Sequence, residues 1–278
     1  IDGGYYPEGG IQRIPNALVD VINQHHGTVL LKSLVRKVVV EKNIATGVEL
    51  ADGRTLHASA VVSACDLSQT YKHLLGEEVV GKEPIDAVER MIPSMSMFIL
   101  YIGLRSNFER QPPAGVNIWF LNDYDLEGVY ERCHQGDVSK FDVFMCRLSP
   151  SENTFVVYTI APYLSKQFWK ENKRKIAHNL VDQVAAYYPD LKDKIAYIDS
   201  ATPSTLERYT LNRNGAAYGW ARTIDQTFGV LPGKAFKIPQ LYFTGHWAGP
   251  GQGFPGVCYS GYDIAKRIKR DLCRVQNI

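Results

Sequence analysis

Net charge is nearly absent from this sequence: 31 Lys and Arg stand against 29 Asp and Glu over 278 residues, a formal charge of +2. That balance points away from nucleic acid and from a strongly acidic partner. No apolar run approaches the roughly twenty residues that cross a bilayer. The best, Met91 to Leu104, is interrupted by Pro93, Ser94 and Ser96 and reads as a buried strand. Cysteine is sparse and unpatterned. Cys65, Cys133, Cys146, Cys258 and Cys273 are odd in number and lack a CxxC pair, which favours a reducing compartment over a disulfide framework. No metal-ligand spacing joins them to the seven histidines, and His25-His26 before Gly27 read as the end of a helix. Ser260 has no G-x-S-x-G context, so hydrolase chemistry finds no nucleophile there. A G-x-G-x-x-G strand–turn–helix fingerprint is missing as well.

What is present concentrates near the C-terminus. In Gly245-His246-Trp247-Ala248-Gly249-Pro250-Gly251-Gln252-Gly253-Phe254-Pro255-Gly256-Val257, five of thirteen residues are glycine and two are proline. Gln240 to Thr244 before it reads as a short buried strand. Val257 to Ala265 after it opens a helix that runs into Lys and Arg, favourable at a C-terminus. Strand, side-chain-poor loop and helix N-terminus together make a surface where backbone N–H groups meet an anionic or electron-rich ligand.

The rest reads as mixed α and β. Gly9-Gly10 leads a helix with Ile14, Leu18, Val21 and Ile22 on one face, ending at Gly27. Thr28 to Leu31, Val35 to Val40, Gly47 to Leu50 and Ala58 to Ala64 read as short strands, with a turn at Asp52-Gly53. Ile118 to Phe120, Val143 to Met145 and Phe155 to Ile160 add strands, and Glu171 to Tyr188 an amphipathic helix stopped by Pro189. Phe168-Trp169-Lys170 and Lys173 to Lys175 fit either a membrane surface or a helix start with a buried tryptophan. Met91, Met95 and Met97 read as core, and Glu207-Arg208 as charges pointing apart on a strand or turn.

Pro250-Gly251-Gln252-Gly253-Phe254-Pro255-Gly256-Val257 resembles the C-terminal FAD signature of the phytoene desaturase and carotenoid isomerase family. Gly3 to Gly10 is similar to the family's helix-opening segment. Thr202 to Thr210, followed by Gly215-Ala216-Ala217-Tyr218-Gly219-Trp220, is a third match. The resemblance implies an α/β (α+β mixed) flavoprotein of amine-oxidase or desaturase type, of which this chain would be the C-terminal part. Residues 1–71 and 238–278 would form an incomplete FAD-binding domain, and 72–237 a largely antiparallel substrate-binding domain. It implies FAD as cofactor and a hydrophobic polyene as substrate, in a cytoplasmic or plastid-like compartment, with peripheral membrane contact and self-association left open. By the same resemblance Val35 would lie by the adenine, Ala64 near the nucleotide and Gly245 by the ribityl–phosphate chain. Gly253, Phe254, Pro255, Gly256 and Val257 would line the pyrimidine edge. Related oxidases carry an acid where His246 stands, which leaves any contact by that side chain open. No catalytic side chain is assigned, since a hydrocarbon offers no group for an acid–base pair. A retinoid-type saturase, an amine-oxidase-like flavoenzyme and a non-enzymatic lipid-binding scaffold are the alternatives.

Overall fold

The structure, a computed structural model, describes residues 5–122, 124–150, 153–228, 237–248 and 252–276. Ten strands occur among them: β1 (Val35–Glu41), β2 (Ile44–Leu50), β3 (Thr55–His57), β4 (Val61–Ser63), β5 (Ser96–Leu104), β6 (Ile118–Leu121), β7 (Val143–Leu148), β8 (Thr154–Ala161), β9 (Ile195–Ala201) and β10 (Leu241–Phe243). The chain forms two compact units, one of Ile1–Leu31 with Ser96–Thr205, the other of Lys32–Met95 with Leu206–Ile278. Compactness thus cuts the chain at other points than 72 and 238. It places residues 72–95 and 206–237 with the glycine loop, and residues 1–31 with the large sheet. The division by cofactor and substrate role is a separate property and is taken up below.

The first unit is built on a five-stranded antiparallel sheet of order β6-β7-β8-β5-β9. Alternate residues are buried, as the two-residue strand period requires: Phe98, Leu100 and Ile102 of β5 are fully covered. They join Phe144, Phe155, Leu180 and Val184 in one core with the helix Lys166–Ala185. That helix starts five residues earlier than the apolar pattern predicts because Ser165 caps it, its hydroxyl accepting from the Phe168 N–H at 3.0 Å. Trp169 is 1% exposed and stacks on Phe98 at 5.9 Å, so of its two readings the buried tryptophan is the one observed. Strand β9 has no counterpart in the sequence reading. The Met91–Leu104 run is strand only from Ser96, because Pro93 and Ser94 pair elsewhere: Pro93 bridges Trp220, and the Ser94 N–H donates to the Gly219 carbonyl.

The helix Arg13–Gln24 forms, and the Gly27 N–H closes its end on the Ile22 carbonyl. Its expected apolar face is exposed at Leu18, Val21 and Ile22, and residues 28–31 are not strand. Glu207-Arg208 lie within the helix Pro203–Thr210, not on a strand or turn. Cys133 and Cys146 are buried thiols, whereas Cys65 and Cys258 are exposed ones. Among the described residues no helix is long and apolar enough to cross a membrane.

The second unit has a small antiparallel sheet, β1-β2-β3. Its first turn is set by Lys42 and Asn43, both at positive φ, the twist that matches a two-residue hairpin. Among the described residues it is joined by a parallel pair, β4 and β10, with Leu241 opposite Val61 and Phe243 opposite Ser63. β4 is the surviving part of the Ala58–Ala64 expectation. The core beneath contains Val38, Leu67, Tyr71, Leu75, Trp220, Leu241 and Trp247.

Candidate cofactor site

β4 and β10 run in parallel and end together at Ser63 and Phe243, with Ala64 and Gly245 just beyond. The Thr244 N–H donates to the Ser63 carbonyl at 3.0 Å, which carries the pairing one step past the strands. Gly245 has φ +85, and a Cβ there would meet the Ala64 carbonyl oxygen only at an ordinary 3.8 Å. Glycine is therefore required for its backbone conformation, not for space. The Gly245 N–H donates to Ser260 Oγ at 3.1 Å, and the Ser260 and Thr244 hydroxyls pair at 3.0 Å. Ser260 is buried and fastens the long helix to the strand end.

That helix spans Gly253–Gln276, so it begins inside the glycine stretch, not at Val257 as predicted. Gly253, Phe254 and Gly256 consequently present backbone N–H groups in the first turn, where an α-helix has no acceptor of its own. Pro255 has no N–H to leave unsatisfied there. The positive end of the helix dipole adds to the same field. Gly253 has φ +71 with nothing within 4 Å of a would-be Cβ. Phe254 and Pro255 are exposed, whereas Gly256 and Val257 are half-covered.

Under the loop lies a network that the sequence reading did not assign to the site. Trp247 is 1% exposed, and its Nε1 donates to Asn212 Oδ1 at 3.0 Å. Trp220 Nε1 donates to the Trp247 carbonyl at 2.8 Å, with the two indoles edge to face at 4.7 Å. Gln252 Nε2 donates to the Trp220 carbonyl. Gly219, at φ +74, is packed so closely that a Cβ would overlap the His246 carbonyl oxygen. Arg213 lies 5.3 Å from the Trp220 ring, and its backbone N–H donates to Asp66 Oδ2 at 2.6 Å. Burial pushes the Asp66 carboxyl upward, against the opposing pull of the Arg213 and Ser68 N–H groups. The third sequence match, Gly215 to Trp220, is the signal that points to this network, as a family likeness without an assigned role.

Of the expected site residues, the structure brings Ala64 and Gly245 together and ties Gly245 through Ser260 to the helix that Gly253, Phe254, Pro255, Gly256 and Val257 open. His246 is half-buried with its ring edge-on to Trp247 at 5.4 Å, and desolvation holds its pKa below the ordinary imidazole value. Val35 stands apart from them, opposite Leu50 at the end of the β1–β2 hairpin remote from its turn. Gly249, Pro250 and Gly251 lie outside the described residues. Among the described residues no His, Cys, Asp and Glu cluster could hold a metal.

Carboxyl ends of parallel strands facing the start of a helix are where open α/β sheets hold nucleotide cofactors. The open space at Gly253 and the first-turn N–H groups fit the electron-rich edge of such a group. A family model, flavin containing amine oxidoreductase, matches residues 2–269, and the chain belongs to that family. It is 28% identical to the phytoene desaturase (lycopene-forming) of Pseudescherichia vulneris, over 97% of this chain and 57% of that protein. It is 26% identical to prolycopene isomerase 2, chloroplastic, of an Oncidium hybrid cultivar, over 96% of this chain and 46% of that protein. The chain spans about half the length of the curated relatives it matches. An oxidoreductase from Methanosarcina mazei shares the fold, with TM-score 0.57 and 18% identity over 93% of this chain and 54% of the other. So does a putrescine oxidase triple mutant, with TM-score 0.57 and 13% identity over 94% and 53%.

Proposed function

We propose that this chain is part of an FAD-dependent oxidoreductase that acts on a hydrophobic polyene of carotenoid type, by desaturation or isomerisation. The observation that carries the reading is the tie of the β10 end, at Thr244 and Gly245, to Ser260 of the helix Gly253–Gln276, whose first turn offers free N–H groups, in a chain of a flavin-containing family. The flavin, when bound, supplies exchange of a hydride with a C–H of the polyene, or assistance to double-bond isomerisation without net redox change. The protein's part is to bind, orient and polarise. The N–H groups of Gly253, Phe254 and Gly256 stabilise negative charge at the edge of the ring they face. Gly245 brings backbone close to the ribityl–phosphate chain, and Ala64 leaves the neighbouring strand end without bulk. Val35 is assigned to the adenine end.

Residues 1–71 and 238–278 are assigned to the cofactor, and 72–237 to the substrate. Since residues 72–95 and 206–237 fold with the glycine loop, the substrate role rests chiefly on the five-stranded sheet. A reducing compartment is part of the same proposal.

Gly253→Val introduced into the full-length protein tests it. The substitution forces a branched residue to φ +71 at the head of the helix and should lower retained flavin about ten-fold or more, read as flavin absorbance against protein. Normal flavin content would remove the loop from the cofactor site.

A further inference from the structure

The five-stranded sheet has two faces, and the core shared with the helix Lys166–Ala185 lies on one of them. Residues between the buried ones point away from the helix Lys166–Ala185, and strand register orders them into rows. Leu121, Val143, Ile160 and Met97 form an apolar row. Two residues further along the strands, about 7 Å on, come Trp119, Met145, Tyr158, Ile99 and Ala201. A further step brings Arg147, Val156, Tyr101 and Asp199. Trp119 is 59% and Tyr101 41% exposed, Met97, Ile99, Tyr158 and Ile160 are half-buried, and Met145, Val156 and Ala201 are buried between them. The face therefore grades from hydrocarbon to polar over about 14 Å.

Arg147 is the singular member. Its Nη2 donates to the Tyr158 hydroxyl at 3.0 Å, and its guanidinium carbon lies 4.9 Å from the centre of the Tyr6 ring and 5.7 Å from that of Tyr158. Among the described residues no carboxylate stands within ion-pair distance of it; Asp199, in the same row, is taken by Lys173 at 3.0 Å. A half-covered guanidinium fixed between two rings has the planar fork that suits a planar anion.

We propose that this face binds a polyene with an oxygenated, carboxylate-type end: the conjugated chain lies across the two apolar rows, and the carboxylate is held by Arg147. The inference rests on the polyene reading above and adds the polar terminus. An extended conjugated chain suits the flat ladder of Trp119, Met145, Tyr158 and Ile99, and a terminal carboxylate matches the charge at its far end.

Calorimetry on the 278-residue chain tests this with three probes: retinoic acid, its methyl ester and a saturated fatty acid of similar length. Quenching of Trp119, isolated by comparison with Trp119→Phe, reports where the polyenes sit. The acid should bind about ten-fold more tightly than the ester. Arg147→Met should bring the acid to the ester's affinity and leave the ester unchanged. Arg147→Lys, which keeps charge and loses the fork, should fall between and serves if the methionine variant does not fold. Equal binding of acid and ester, with Trp119 quenched, overturns the role of Arg147 and leaves the polyene reading standing. Equal, Arg147-dependent binding of the saturated acid removes the polyene from this face while keeping the anion site. No binding by either polyene, or binding without Trp119 quenching, overturns the proposal.

Discussion

The unit carrying the five-stranded sheet and the unit carrying the glycine loop bury their cores by different means. In the first, long strands alternate buried and exposed residues, and aromatic rings do most of the filling: Phe98, Phe144, Phe155 and Trp169 are nearly inaccessible. In the second, strands β4 and β10 have three residues each, and the core is closed by side chains that also hydrogen-bond. Trp220, Trp247, Asn212 and Arg213 are there both packing and polar partners. A core of rings tolerates small errors in backbone position. A core of directed hydrogen bonds fixes that position, which a close-approach cofactor loop requires.

The comparison makes graded predictions. Trp169→Ala should cost the sheet unit about 3–5 kcal/mol, the range for emptying a large buried aromatic site; denaturant unfolding followed by near-UV circular dichroism checks it. A loss below 1 kcal/mol would mean that the aromatic core is not what holds the sheet. Gly219→Ala should cost about 2–4 kcal/mol, from left-handed strain plus overlap with the His246 carbonyl, and should disturb the loop unit alone. Amide exchange resolved by segment is the measurement, and equal loosening of both units would erase the contrast drawn here.

Ser260→Ala leaves the Gly245 N–H without its acceptor and should cost about 1–2 kcal/mol. The denaturation midpoint reports it, and Ser260→Thr, which keeps the hydroxyl, should recover part. The smallest effect is that of pH. His246 is desolvated, so its folded pKa is depressed below 6.5. A depressed pKa contributes stability that is present above the unfolded value and lost as pH falls through the folded one. Between about pH 8 and pH 5 the loop unit should lose under about 1 kcal/mol through this group. His246→Gln should flatten that dependence in urea titrations run at the two extremes; an unchanged slope would assign it elsewhere.

The same contrast governed how much the sequence disclosed. The strands of the large sheet were legible at β6, β7 and β8, where short continuous runs of apolar, β-branched and aromatic residues mark them. β9 was not, because Tyr197 and Asp199 face outward and only Ile195 and Ile198 pack against the core. The parallel pair was half-legible: β10 from its apolar run, β4 only as the end of a longer expected strand. Glycine and proline spacing located the loop between β10 and the long helix but placed the helix start late at Val257, since helix propensity argues against Gly253 and Gly256 while capping geometry accepts them. Trp220, Asn212 and Gly219 escaped as site residues because their role is to pack against a loop distant in sequence, which no local pattern encodes.

Strand β10 pairs with β4 across nearly all of the chain that builds the other unit. During synthesis the ribosome releases the five strands of the large sheet before it releases Leu241, so that sheet is free to assemble while β4 still waits for its neighbour. Closing so long an intervening loop is slow, and it comes last. The glycine loop therefore matures at the end of folding, and a nascent chain stalled before residue 241 would carry a finished sheet beside an unformed loop.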